Sequence, residues 1–246
     1  MSNIRIYINK EITKGFVVLD KSQSHYIKNV MRVKVGDMFN IFNENDGEWR
    51  VKLKEIKKNK LIVNVEEYIG IKPEPADVWV LFAPVKKLRT DYISQKITEL
   101  GAQLIWPIIT ERTQFKSIKS SRILSNAIEA AEQCGLTSIP KVKKSKDLNY
   151  LLDNWKTIAE DRLLIFCDEN ISGNPKTLLK SAKKKNKKNK WAILIGPEGG
   201  FSQNERNKII KLKDSINISL GPRILRSDTA IVSALTIFHS ILGDWV

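Results

Sequence analysis

The sequence predicts a small β-barrel-like module followed by a larger α/β domain with a mostly parallel sheet. Three observations carry that reading. Up to about Gly70, short apolar stretches alternate with turn residues and a single helical stretch. Residues 71–76 then read IKPEPA, whose two prolines favour an extended linker. Beyond it, apolar runs of strand length alternate with segments of helical periodicity, the pattern of a parallel sheet covered by helices. With 246 residues, 42% of them hydrophobic, the chain has material for one large or two small domains with real cores.

In the first part, strands are expected at 4–8, 16–19, 38–42, 49–56 and 61–68, punctuated by Gly36-Asp37, Asp46-Gly47 and Lys58-Asn59. One helix is expected at 24–31, behind a Ser22 cap. After the linker come strand 78–83, helix 88–100, strand 104–109, helix 121–133, strand 163–167 and a helix near 175–182. Strand 192–195, helix 203–212 and a final helix over 227–242 complete the pattern. That last helix is apolar over most of its circumference, from Ile231 and Leu235 through Phe238 to Trp245, so it must be buried in its own core or against another subunit.

Two loops stand out. Residues 193–205 read ILIGPEGGFSQNE, a strand that breaks into glycines and a helix start, and 220–230 read LGPRILRSDTA. Gly196, Gly199 and Gly200 remove side chains that would keep a ligand off the backbone and allow positive φ, while Ser202 and Glu205 supply a capping box. In open α/β sheets ligands bind beyond the carboxyl ends of strands, where this loop falls. It is not a P-loop, because Phe201 stands where Lys and Ser or Thr are needed. Nor is there a Rossmann fingerprint, since the domain's first strand runs into Phe82-Ala83-Pro84-Val85.

Lys and Arg outnumber Asp and Glu by 42 to 27, a net charge of +15 that suits a polyanionic partner. Part of the surplus lies in 183–190 (KKKNKKNK), read as a solvated loop rather than a binding site. Cys134 and Cys167 form no CxxC pair, so neither a metal site nor a disulfide framework is expected, and Cys167 reads as a core residue. No apolar stretch has the length of a membrane span and MSNIRIYINK lacks the apolar segment of a signal peptide, so a soluble cytoplasmic protein is expected.

The two loops carry a family resemblance that extends over essentially the whole chain. GPEGGFSQNE and LGPRILRSDTA resemble the RsmE-type 16S ribosomal RNA methyltransferases of the SPOUT superfamily, with Ser227 and Asp228 replacing the family's usual Thr and Glu. EAAEQCGLTSIP (129–140) also matches, although Leu136 stands where the family usually has arginine, which puts that arginine's work in doubt here. The resemblance implies a SPOUT-type α/β domain over 73–246, with a C-terminal trefoil knot, behind a PUA-like β-barrel RNA-binding domain over 1–72. It further implies methylation of uracil N3 in 16S ribosomal RNA of the small subunit with S-adenosyl-L-methionine, by a homodimer joined through the C-terminal domain. Ribose 2'-O methylation and an RNA-binding protein without catalysis remain the alternatives.

On that resemblance the cofactor is assigned to Ile195, Gly196, Pro197, Gly199, Gly200, Leu220, Gly221, Ile224 and Leu225. Methylating N3 requires loss of an imide proton, and an arginine near the flanking carbonyl oxygens would stabilise the anion. Arg226, just before the positive end of the last helix, is the first candidate and Arg223 the second. Glu198 is the carboxylate of the glycine loop, placed to orient the uracil, accept its proton or satisfy backbone N–H groups. Phosphate contacts are assigned to Arg5, Lys28, Arg32 and Lys34 in the small domain and to Lys86, Lys87 and Arg89 in the large one. His25 and His239 read as structural.

Overall fold

The computed structural model describes residues 4–58, 60–115, 118–171 and 174–245. Asn59 of the expected Lys58-Asn59 turn and the side chain of Lys87 lie outside what is described. The chain forms two compact units, the first running to Glu74 and including Ile128–Ile139, the second holding Pro75–Ala127 and everything from Pro140 on.

The first unit is built on β1 (Arg5–Tyr7), β2 (Gly15–Val18), β3 (Met38–Asn43), β4 (Gly47–Lys57) and β5 (Lys60–Gly70). They form one sheet in the order β1-β3-β4-β5-β2, with β1 parallel to β3 and the other pairs antiparallel. Alternation places Ile6, Phe39, Ile41, Val51, Leu53, Leu61 and Val63 in one core. The expected helix behind Ser22 is corrected. α1 (Lys21–His25) starts earlier, capped by Asp20 in a capping box with Gln23, and passes into a π-helical turn over Tyr26–Val30. The Asp20 carboxylate accepts from Gln23 N (2.8 Å) and from Ser22 Oγ (2.7 Å), so Ser22 donates to the cap instead of forming it.

Arg5 also needs correction, because it is buried and spent on the protein. Its Nε and Nη2 hold the two Glu48 oxygens at 3.0 and 2.9 Å, and the guanidinium donates to the carbonyls of Ala131, Glu132 and Leu136. The guanidinium also lies over the Phe42 ring, 4.3 Å from its centroid. It ties the sheet to the returning segment 128–139 and offers no face to a phosphate. The Leu136 carbonyl in this tie is backbone, so the departure from the family's arginine leaves it intact.

The second unit carries a parallel sheet in the order β12-β10-β11-β6-β7-β8, with β9 pairing further along β7. Its strands are β6 (Val78–Phe82), β7 (Leu104–Ile109), β8 (Lys141–Val142), β9 (Lys146–Asp147), β10 (Leu163–Cys167), β11 (Trp191–Ile195) and β12 (Ser215–Ile218). Its helices are α2 (Lys87–Glu99), α3 (Ser120–Cys134, continuing into the first unit), α4 (Leu148–Asp153), α5 (Trp155–Ile158), α6 (Pro175–Lys185), α7 (Gln203–Lys211) and α8 (Ser227–His239). The sequence reading missed β8, β9, α4, α5 and β12. These pieces are too short to show a period, and β12 is a half-exposed edge strand interrupted by Asn217.

The lysine-rich run is not a simple loop. α6 continues to Lys185, Asn186 is buried with its Nδ2 on the Lys190 carbonyl (2.8 Å), and Lys188 and Lys190 pair with Asp161 and Glu160. The final helix stops at His239 rather than Leu242, because the Phe238 carbonyl accepts the N–H groups of Ile241, Leu242 and Gly243 in a tight turn. His239 is a core residue, its Nδ1 2.7 Å from Asp244 Oδ1 and its ring stacked on Trp245. Burial pushes the imidazole pKa down, outweighing Asp244.

Candidate cofactor and RNA site

Because β10, β11 and β12 are parallel neighbours, their carboxyl ends open on one side, and a cavity of about 550 Å³ lies there. It is lined by Cys167 to Asn170 after β10, by the glycine loop after β11, and by Leu220, Gly221, Arg223 and Leu225 after β12. A volume of this size suits a nucleoside-sized ligand.

The glycine loop is held from several elements. The Gly200 N–H donates to the Pro197 carbonyl (2.9 Å) in a turn that needs φ of +64° at Gly200, which explains that glycine. Gly196 needs no positive φ. A Cβ there would stand 2.6 Å from the Phe201 ring, which packs edge-on against Phe166, so this glycine makes room for Phe201. Ser227 Oγ donates to the Gly196 carbonyl (2.9 Å), so serine keeps a hydroxyl bond between the two motifs. Arg112 Nη1 donates to the Gly199 carbonyl (2.8 Å), and Arg89 pairs with Glu198 at 3.0 Å. The capping box forms as expected, and the buried Glu205 carboxylate also accepts the Glu111 N–H (2.9 Å) beyond β7.

Opposite the loop stands Asp168, a residue the sequence reading missed. Its side chain is 1% exposed, Oδ1 accepts from Arg206 Nη1 (2.7 Å) and from the Asn170 N–H (3.0 Å), and Oδ2 has no hydrogen-bond partner among the described residues. An unpartnered buried carboxylate oxygen beside a cavity is an acceptor for a donor from water or a ligand. The signal was position: Asp168 directly follows strand 163–167, as the glycines follow theirs. Burial pushes the pKa of the neighbouring Cys167 thiol up and the Asp168 charge adds to the shift, which disfavours the thiolate.

Of the residues assigned to the cofactor, Ile195, Gly196, Pro197, Gly199, Gly200, Leu220, Gly221 and Leu225 line the cavity, and Ile224 does not: it is 83% exposed. Of the three catalytic candidates only Arg223 lines it. Arg226 is the exposed residue before α8 and makes no ion pair with Asp228, whose carboxylate accepts the Thr229 N–H (2.8 Å). Lys28, Arg32 and Lys34 are exposed on the first unit, and Lys86 is exposed at the start of α2. Among the described residues no His, Cys, Asp and Glu group could hold a metal, and no helix is long and apolar enough to cross a membrane.

Residues 72–239 match the RNA methyltransferase domain family and residues 19–66 the RNA methyltransferase PUA domain family. The ribosomal RNA small subunit methyltransferase E of Rickettsia conorii is 31% identical over 94% of this chain and 93% of its own length. The chain belongs to the ribosomal RNA small subunit methyltransferase E family. A methyltransferase from Legionella pneumophila, solved with its cofactor SAM bound, is 27% identical with a TM-score of 0.88 and covers 99% of this chain, which covers all of it (100%). The fold is also that of the family member from Neisseria gonorrhoeae, solved with S-adenosyl methionine (22% identical, TM-score 0.85, 99% and 100% covered).

Proposed function

We propose that the protein methylates N3 of one uridine in 16S ribosomal RNA of the small subunit, using S-adenosyl-L-methionine bound in the cavity beyond β10, β11 and β12. The observation that carries the reading is the cavity itself, where both motif loops converge on a buried carboxylate with an oxygen unpartnered among the described residues. The residues fit the cofactor: Ile195, Leu220, Leu225 and Phe201 give an apolar slot for adenine, and Asp168 Oδ2 offers an acceptor to a hydroxyl or ammonium group. When bound, the cofactor supplies a methyl group on a positively charged sulfur, ready for transfer to a nucleophilic nitrogen.

The protein's part is to make N3 that nucleophile. The N3 proton must pass to solvent water, and the charge then spreads onto the flanking carbonyl oxygens. Arg223, at the cavity, is the better placed of the two arginines to donate to that charge, while Arg226 faces outward towards the RNA. Glu198 has Oε1 committed to Arg89 and orients the base with its other oxygen. Lys28, Arg32, Lys34, Lys86 and Arg89 serve as phosphate contacts, giving affinity with little sequence choice. The first unit, which takes in Ile128–Ile139 as well as the expected 1–72, acts as the RNA-binding domain and the rest of the expected 73–246 as the catalytic domain, in a cytoplasmic homodimer. The partly exposed Val232 and Ile237 on α8, beside its buried face, support a subunit contact there. The trefoil knot belongs to the same proposal, supported by the return of the chain from edge strand β12 to pack α8 on β11 and α2.

The test is to incubate the protein with labelled S-adenosyl-L-methionine and unmodified small ribosomal subunits, then map the methylated base by mass spectrometry. Label on a ribose hydroxyl, or none with a cofactor-saturated protein, would refute N3 methylation.

A further inference from the structure

Ile224 is 83% exposed, in a loop that is otherwise firmly placed. The Gly221 N–H donates to Ser219 Oγ (3.2 Å) and Gly221 has φ of +118°, and at the other end Ser227 fixes the chain to the Gly196 carbonyl. Between these anchors Arg223, itself exposed, and the half-buried Leu225 line the cavity, whereas the exposed Ile224 and Arg226 do not. An isoleucine held out in water gains nothing for folding. Leu88, 82% exposed between Lys86 and Arg89 at the start of α2, is the comparable case in this unit.

What covers Ile224 is indicated by its surroundings. Arg223 and Arg226 flank it, and neither has an ion pair among the described residues. A second copy of this tip would bring guanidinium against guanidinium, whereas an RNA strand brings a uracil carbonyl for Arg223, a phosphate for Arg226 and base faces for the isoleucine. The N3 edge of a uracil enters a cavity only if the base is drawn out of its stack, and the gap left behind exposes apolar base faces. Apolar side chains inserted between base steps fill gaps of this kind in other nucleic-acid complexes. We propose that Ile224 is a wedge that packs against the bases next to the target uridine and holds that uridine unstacked while Arg226 binds the flanking backbone. This rests on the RNA-methylation reading above.

The experiment uses an RNA fragment of the small-subunit target with 2-aminopurine beside the methylated uridine, and compares the wild type with Ile224→Ala and Ile224→Leu. Fluorescence, equilibrium RNA binding, single-turnover methylation at saturating RNA and sedimentation are read for each. Binding of the wild type should raise the fluorescence. Ile224→Ala should lose that rise and about tenfold or more in rate, with RNA affinity within about threefold and the oligomeric state unchanged. Ile224→Leu should restore both signals. A rate and a fluorescence rise equal to wild type in Ile224→Ala would overturn the wedge, and so would a changed oligomeric state, which would assign the tip to a subunit contact. If the wild type binds the RNA and unstacks it but methylates elsewhere, the N3 reading fails while the wedge stands.

Discussion

Gly196→Ala isolates the step from sequence to cavity shape. The new Cβ would lie 2.6 Å from Phe201 Cε2 and 3.0 Å from Cζ, contacts that cannot exist without movement. The ring can retreat only towards the cavity it lines, because it stands edge-on to Phe166 at 5.1 Å and packs against the core cluster of this unit. Overpacking of this kind typically costs about 1–3 kcal/mol. Whatever part of that strain is relieved by swinging Phe201 into the cavity appears as lost cofactor affinity, about tenfold for each 1.4 kcal/mol. Calorimetric titration with S-adenosyl-L-methionine, beside denaturant unfolding, should therefore show weaker binding and a less stable fold. Adding Phe201→Leu should recover a large part of both losses, since the clashing atoms are gone. Wild-type stability and affinity in Gly196→Ala, or strictly additive effects in the double variant, would refute the account.

Gly200→Ala should behave differently: its Cβ meets nothing nearer than Glu169 Oε1 at 3.8 Å, so the roughly 1–2 kcal/mol expected in denaturant unfolding comes from the left-handed backbone alone. Arg5→Ala should destabilise the protein by about 3–5 kcal/mol in the same assay by stranding the buried Glu48 charge, while RNA binding by the fraction still folded keeps its salt dependence. Arg223→Ala should cost about 10² to 10³ in single-turnover methylation with cofactor affinity kept, whereas Arg226→Ala should act mainly on RNA affinity; the reverse ranking would exchange their roles. Burial pushes the Glu132 carboxyl up to about 7 from 4.5, against the Tyr7 N–H and Arg5 and with help from Glu129. The folded state therefore holds a proton that the unfolded chain has lost, and stability should fall as pH rises from about 4.5 to 7. Glu132→Gln should flatten that slope and gain about 1 kcal/mol at pH 8, discounted for partial exposure, as checked by unfolding across pH.

What the sequence made legible was local. Strands 104–109 and 163–167 have the bounds the alternation predicted, because an apolar run between turn residues specifies itself. The capping box of Ser202 and Glu205 needs only neighbours three positions apart. What escaped the reading depends on partners far along the chain. Arg5 looked like a surface cation because nothing nearby marks Glu48, 43 positions away, as its partner, and nothing foretold the returning segment whose carbonyls it binds. Asp168 and Arg206, 38 positions apart, meet only because β10 and α7 border one cavity. The lysine run misled for a related reason: charge in a row resembles a loop until Asp161 and Glu160 are brought beside it.

The glycine loop shows how the legible and the illegible parts combine. Read alone, PEGG suggests a mobile turn, since glycine loses the most backbone freedom on folding. In the structure it is bonded through the Gly196 carbonyl to α8, through the Gly199 carbonyl to Arg112 beyond β7, and through Glu198 to Arg89 of α2. At its far end the Glu205 carboxylate anchors both Ser202 and Glu111. Glycines let the backbone pass close to a ligand, and distant polar side chains then immobilise what the glycines left free. A methyltransferase site that must hold a methyl donor and its acceptor in line gains from such preorganisation, because misplacement by about 1 Å can cost a hundredfold in rate. The arginines and the serine that do the holding are therefore as much a part of the site as the glycines that mark it.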